Sequence, residues 1–410
     1  MAKEQVLEEV CEEIKKRLLN RLVPEQELTD EELQGKIDEE LILEDKQKIL
    51  SLSNRIQIRR RIFDALRGFG VLQELLEEEE VTEILVNGPE HIFYEKGGQL
   101  YPYEKGFRNH QELEDFIQMM CAINNRMVNE ASPIVDSRLP DGSRVNVVLQ
   151  PVSIDGSAIS IRKFSKTPMN MKKLLQYESV SEEVIAFLEK IVVSKYNILI
   201  SGGTGSGKTT FLNALSAFIP KDERVVTIED SAELMLNDIP NLVRLESRRP
   251  SFAGVVPIEI RDLIRTALRM RPSRIIVGEC RGAEAADLLS ANNTGHDGSI
   301  GTAHSNGARD MLVRLETMVL MGQNLPIEVI RRQIVSGIEI IIHLGRLRDG
   351  SRKLLEIVEL SGMKEGEIQL HPIYQFEEMG EKNGKIKGCW RQTGTLTHQQ
   401  KAKAAGYKEI

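Results

Sequence analysis

The run ILISGGTGSGKTT, Ile198 to Thr210, constrains this chain more than any other stretch. Ile198, Leu199 and Ile200 read as a buried strand, and Lys208 onward (KTTFLNALSAFI) reads as a helix. Between them, Gly202, Gly207, Lys208 and Thr209 fit the phosphate-loop pattern G-x-x-x-x-G-K-[ST]. Gly203, Thr204, Gly205 and Ser206 fill the loop, and Thr210 follows in the first helical turn. Glycines let successive backbone N–H groups curl around phosphate oxygens while the helix presents its positive end to the same anion. Lys208 is expected to reach the β and γ oxygens of a bound nucleotide as a point charge, and the Thr209 hydroxyl to ligate Mg²⁺. Strand before and helix after favour this over a glycine-rich turn with an exposed lysine.

Hydrolysis needs acids facing the loop. Two apolar runs end in them: RVVTIEDSAE, with Glu229, Asp230 and Glu233, and RIIVGECRG, with Glu279. In an open parallel sheet every strand delivers its C-terminal end to one edge, so these acids are expected beside the phosphates. One would hold the metal's water shell while another orients the attacking water. The stretch TGHDGSIGTAHSN places His296 and His304 on either side of a strand-like run. With no third ligand at metal spacing, zinc is a poor explanation. Both histidines are expected to sense phosphate or meet a neighbouring chain.

Short β-rich runs (YNILISG, RVVTIED, RIIVGE, SIGTAH, EIIIHL) alternate with helical stretches such as EAADLLSAN, the sequence form of a parallel sheet covered by helices. The 410 residues exceed one ordinary core. Residues 1–75 carry Val6, Val10, Ile14 and Leu18 at helical spacing and read as a helical segment. Residues 76–164 alternate apolar and polar around the turn signals Gly97-Gly98, Asp141-Gly142 and Asp155-Gly156, with the helical ELEDFIQMMCAINNRM inside, and read as a small α+β domain. Residues 165–178 (from SKTPMNMKKLLQ) read as a linker, 179–375 as the α/β nucleotide domain, and 376–410, rich in Gly and Lys, as a tail.

A net charge of −8 argues against a duplex-binding surface, so no nucleic-acid partner is expected. Cys11, Cys121, Cys280 and Cys389 are too far apart for a zinc or redox motif and read as reduced cytosolic thiols. The opening MAKEQVLEEVCEEIKKRL lacks the apolar core of a signal peptide, and no run reaches the roughly 18 apolar residues of a membrane span. Membrane contact is expected to be peripheral.

Together, SGGTGSGKTT, RVVTIEDSAEL, RMRPSRIIVGECRG and NTGHDGSIGTAHSN resemble the Walker A, Asp box, Walker B and His box of the secretion ATPase superfamily of type II and type IV secretion and type IV pili. Within it, LVNGPEHIFYEKGG, DSRLPDGSRVNVV, ISIRKF and RLETMVLM look like the CpaF branch, the tight-adherence pilus ATPases. The resemblance runs from about residue 65 to about 375. It implies a homohexameric ATP-hydrolysing motor with Mg²⁺, built from a PAS-like N-terminal domain and a RecA-like ATPase domain. It also implies docking on an inner-membrane platform protein at the cytoplasmic face. Lys208 and Thr209 match the Walker A pair, Glu229 the Asp-box glutamate, Glu279 the Walker B glutamate and His304 the second His-box histidine. Arg138, Arg144 and Arg162 fall where this family supplies N-domain arginines to the nucleotide. Cys280 and Gln150 depart from the family's apolar or proline positions, and the tetracysteine module of the pilus-extension branch is missing. A nucleic-acid translocase and a nucleotide-binding scaffold without turnover are the competing classes. DNA-stimulated, salt-sensitive hydrolysis would mark the first, and absence of turnover the second.

Overall fold

A computed structural model describes residues 10–11, 13–18, 21, 29–45, 51–124, 126–164, 169–248 and 256–410. The chain forms two compact units, Met1–Ser165 and Lys166–Ile410.

In the first unit, apolar residues four apart make the helical part. Val10, Ile14 and Leu18 pack with Leu33, Ile37 and Leu41 of the helix Asp30–Asp45 and with Ile58 and Ile62 of the helix Leu52–Arg67. The Asp30 helix starts on a reciprocal cap: Glu32 N–H donates to Thr29 Oγ1 at 3.3 Å and Thr29 N–H to Glu32 Oε2 at 2.8 Å. Val6 lies outside the described residues.

A six-stranded antiparallel sheet follows, in the order β3-β2-β1-β6-β5-β4. Its strands are β1 (Val81–Asn87), β2 (His91–Lys96), β3 (Gln99–Tyr103), β4 (Ile134–Arg138), β5 (Arg144–Val148) and β6 (Ala158–Arg162). Gly97 and Gly98 both take positive φ, +61° and +81°, and turn β2 tightly into β3. Every second residue of the inner strands, such as Val145 and Val147, or Ile159 and Ile161, points to a core shared with Leu113, Phe116, Ile117 and Met120 of the helix His110–Ile123.

The second unit holds a nine-stranded sheet, β15-β14-β13-β12-β7-β11-β10-β8-β9. Its strands are β7 (Ile198–Gly202), β8 (Arg224–Glu229), β9 (Asn241–Glu246), β10 (Arg274–Cys280), β11 (Ile300–His304), β12 (Ile340–Arg346), β13 (Arg352–Lys364), β14 (Glu367–Lys382) and β15 (Lys385–Gln392). From β12 to β9 neighbouring strands run parallel, and β13 to β15 add an antiparallel extension. Both faces of the central strands are covered, so β7, β10, β11 and β12 are mostly apolar, while the edge strand β9 is not. Ile198 and Ile200 face the helices Glu182–Val193 and Lys208–Ser216, while Leu199 faces the helices Glu284–Asn292 and Ala308–Gly322.

Two segments differ from their expected character. In the 165–178 linker, residues 165–168 lie outside the described residues, but Asn170 caps the short helix Met171–Gln176, whose Met171 and Leu174 are buried in the nucleotide unit's core. The expected tail 376–410 completes the sheet through β14 and β15 and buries Ile386, Leu396 and Ala402. Glu359, almost fully buried, holds that segment by accepting from the N–H groups of Thr397 (2.7 Å) and His398 (2.9 Å). Among the described residues, no helix is long and apolar enough to cross a membrane.

Candidate functional site

The parallel register brings the ends of β7, β8, β10 and β11 to one edge. Gly202 pairs with His304 across β7 and β11, and with Leu344 across β7 and β12. Glycine is obligatory at 202, because a Cβ there would meet Leu344 O and Ser206 Oγ at 2.5 Å each. Gly205 and Gly207 take positive φ, +71° and +92°, and Lys208 begins the helix. The loop therefore has the shape of an anion nest opening onto a helix N-terminus.

Lys208, 7% exposed, donates to the carbonyls of Gly202 at 3.0 Å and Gly203 at 3.1 Å. It also lies 3.2 Å from His304 Nδ1. An ammonium can only donate, so Nδ1 accepts and the neutral ring carries its proton on Nε2. That Nε2 lies 2.8 Å from Glu279 Oε1, close in distance though not aligned as a hydrogen bond. The other carboxylate oxygen accepts from Arg281 at 2.7 Å. Lys208, His304, Glu279 and Arg281 thus form one continuous polar chain across the sheet edge. Burial and then the Lys208 charge hold the His304 pKa below its ordinary value, against the pull of Glu279. Burial likewise lowers that of Lys208, with Glu279 opposing.

Glu229 is placed differently. It is 3% exposed, and its Oε1 accepts from the N–H groups of Glu233 at 2.7 Å and Leu234 at 2.9 Å. Its Oε2 is buried without a protein partner. Burial pushes its pKa up, only partly offset by those two amides. Gly278 leaves room for it, since a Cβ there would sit 2.9 Å from Glu229 Cγ. Asp230 accepts from Ser247 Oγ at 2.7 Å. Thr209 and Thr210 are half-buried in the first helical turn, and among the described residues neither hydroxyl makes a protein hydrogen bond. Ser206 Oγ is buried and also without a partner.

His296 does not join the site. It precedes β11 and contacts Ala291 O, so a whole strand, at roughly 3.3 Å per residue, separates it from His304. Of the two histidines expected to sense phosphate or meet a neighbouring chain, only His304 lies beside the loop lysine. Three residues escaped the sequence reading. Arg281 stands two positions beyond the acid it contacts and was open to notice. His343 Nδ1 lies 2.9 Å from Ser201 Oγ, buried behind the loop strand, and burial lowers its pKa. Arg352 donates through Nε to Gly205 O at 2.8 Å from a strand 147 residues away, with no local signal.

In the first unit, Arg138 pairs with Arg144 and Arg144 with Arg162 across β4, β5 and β6, while Glu83 lies opposite Arg162. Directly opposed residues share a sheet face, so the three arginines and Glu83 occupy neighbouring positions on one face.

Residues 65–403 match the family described as "Type II/IV secretion system protein". The chain is 34% identical over 318 residues to "Putative conjugal transfer protein Rv3659c" of Mycobacterium tuberculosis (strain H37Rv), covering 76% of this chain and 90% of that protein. It is 31% identical over 304 residues to the type IV secretion system protein VirB11 of Brucella suis, covering 67% and 83%. Among solved structures it resembles the Legionella pneumophila ATPase DotB, with TM-score 0.52, 25% identity, and coverage of 70% of this chain and 79% of that one.

Proposed function

Since this chain belongs to the type II/IV secretion system protein family, we propose that it is a Mg²⁺-dependent ATPase that powers assembly of a tight-adherence type pilus or a related secretion apparatus. The observation that carries this reading is the polar chain Lys208–His304–Glu279–Arg281 laid across a glycine nest at the open edge of a parallel sheet. A phosphate chain fits that nest: Gly205 and Gly207 take positive φ, and Ser206 Oγ and Glu229 Oε2 are buried polar atoms without protein partners.

Lys208 neutralises the β and γ oxygens, and the amides of 203–209 take the rest of the phosphate charge. Thr209 and, through water, Glu279 would hold Mg²⁺, which neutralises charge developing on the phosphate oxygens. Glu279 holds the attacking water and receives its proton. Its partners Arg281 and His304 fix the carboxylate's orientation. His304, bridging Lys208 and Glu279, loses its lysine contact when Lys208 turns to a γ-phosphate, so it registers nucleotide state. Glu229 orients the loop 233–234 through one oxygen and offers the other to the site.

Arg138, Arg144 and Arg162 supply further cations to the same chain's nucleotide. The resemblance of DSRLPDGSRVNVV and ISIRKF, which carry them, to the family's N-domain segments supports this. The working form is a homohexamer, peripheral on the cytoplasmic face of the inner membrane and docked on a platform protein. The motifs LVNGPEHIFYEKGG and RLETMVLM support the tight-adherence branch. The test is phosphate release from ATP with Mg²⁺. Wild type turns over and Lys208→Ala does not, whereas equal rates in the two would overturn the reading.

A further inference from the structure

The phosphate loop is a poor structure on its own. Seven of the eight residues 202–209 are glycine, serine or threonine without a bulky side chain to pack, and glycine in particular gives up the most conformational freedom when ordered. Something outside the loop must fix it before an anion arrives, or binding has to supply the ordering free energy.

One side chain reaches the loop's outer surface. Arg352 opens β13, and its Nε donates to the carbonyl of Gly205 at 2.8 Å, at the centre of the loop. Its Cδ lies 3.5 Å from the place a Cβ on Gly207 would occupy, so the stem runs along the loop's second positive-φ glycine as well. No acidic side chain lies within ion-pair distance of Arg352 among the described residues, and the Gly205 carbonyl is the one hydrogen-bond partner of its side chain there.

The base of this strut is rigid. β12 pairs with the loop strand β7, and the turn joining β12 to β13 is tied internally: Leu347 N–H donates to Ser351 O, and Asp349 accepts from the N–H and hydroxyl of Ser351. Asp349 also accepts from Ile386 N–H at 2.8 Å, which ties the turn to β15. The antiparallel extension thus ends in a fixed turn that presents one guanidinium to the phosphate loop.

We propose that Arg352 is a positioning residue of the phosphate loop. Holding the Gly205 carbonyl outward turns the loop's N–H groups inward, so the anion nest is formed before nucleotide binds. This rests on the ATPase reading for its consequence, but the ordering itself is a property of the free protein. The role belongs to the Nε donor rather than to the charge, and glutamine separates the two. Counted along the side chain, glutamine Nε2 stands where arginine Nε stands, so Arg352→Gln keeps a donor and deletes the cation. Arg352→Lys keeps the cation and places no donor at that position.

The experiment has two readouts on the full chain. Amide hydrogen exchange of residues 203–207 without nucleotide is expected to speed up about tenfold in Arg352→Ala and Arg352→Lys and to stay near wild type in Arg352→Gln. Steady-state ATPase is expected to show KM about tenfold higher with kcat little changed in Arg352→Ala, and near-normal KM in Arg352→Gln. A merely structural role would lower the active fraction, hence kcat, and leave KM alone. Normal behaviour in lysine and loss in glutamine would mean a direct charge contact with phosphate, and would overturn the strut. Unchanged exchange in the alanine variant would also overturn it. A wild type that does not hydrolyse ATP would instead refute the ATPase reading and leave the exchange result to decide the strut.

Discussion

Replacing Glu279 by glutamine probes the centre of the polar chain. The side chain is 21% exposed and sits 2.7 Å from Arg281 and 2.8 Å from His304. Glutamine keeps the volume and an oxygen for Arg281 to donate to, so the fold and the loop are retained. What disappears is a carboxylate paired with the Arg281 guanidinium: opposite unit charges about 4 Å apart at an effective dielectric of about 20 are worth about 4 kcal/mol. Partial exposure cuts that, and the amide dipole recovers a share. The catalytic loss is larger in consequence, because the amide accepts no proton from water. Removing a general base costs a factor of about 10²–10⁴, or about 3–5 kcal/mol of barrier at about 1.36 kcal/mol per decade. ATP affinity is expected to hold or tighten, since a negative charge near the phosphates is gone. A coupled ATPase assay beside equilibrium binding of a fluorescent ATP analogue separates the two effects. Turnover within about threefold of wild type, or loss of binding, would refute the assignment and move the base to Glu229.

Other outcomes follow from the same geometry. Arg144→Ala and Arg162→Ala are expected to lower kcat far more than ATP affinity, and mixing either with Lys208→Ala subunits should restore little activity if the arginines serve their own chain. Substantial recovery in the mixture would place them across subunits instead. For His343, burial holds the folded-state pKa below the ordinary 6.5. The unfolded chain then binds the extra proton first, so the stability tied to neutral His343 is fully present above pH 6.5 and drains as pH falls towards the lower folded value. Urea midpoints should drop from pH 7.5 to 5.5 with a contribution of at most about 1.4 kcal/mol per pH unit, and His343→Gln should flatten that slope. An unaltered slope would mean that His343 takes up its proton over the same pH range in the folded and unfolded chain, and would refute the shift. Light scattering is expected to report a hexamer favoured by nucleotide, and a monomer at micromolar concentration with and without ATP would count against the motor.

What was legible in the sequence was set by burial on both faces. β7, β8, β10, β11 and β12 are short apolar runs because helices cover each side, and their parallel order puts every C-terminal end at one edge. That is why Lys208, Glu279 and His304 were foreseeable as neighbours across a hundred residues. β14 and β15 were not foreseeable in the same way. Beyond Tyr374 the sheet is largely exposed, and QFEEMGEKNGKIKG keeps few apolar residues, so the alternation that marks a strand fades while the backbone pairing persists. Arg352 shares that obscurity, since its contact joins β13 to a loop far away in sequence. His296 lies away from the loop because a whole strand stands between it and His304, a separation that their proximity in sequence hides.

The two acids illustrate what composition alone leaves undecided. Both end a buried parallel strand, and both were expected at the phosphates. Their surroundings separate them by protonation chemistry. Glu279 lies at a partly solvated edge, accepting from the Arg281 guanidinium, with the neutral His304 imidazole 2.8 Å away. Glu229 is sealed, fixed by two backbone amides on one oxygen, and pushed by burial towards the neutral acid, whose O–H could only point from Oε2 into unpartnered space. A group so fixed can donate to a phosphate oxygen or orient a water, but it has no freedom to take a proton and pass it on. The proposed division, with Glu279 as base and Glu229 as orienting acid, rests on that difference in exposure and partners rather than on which strand each ends.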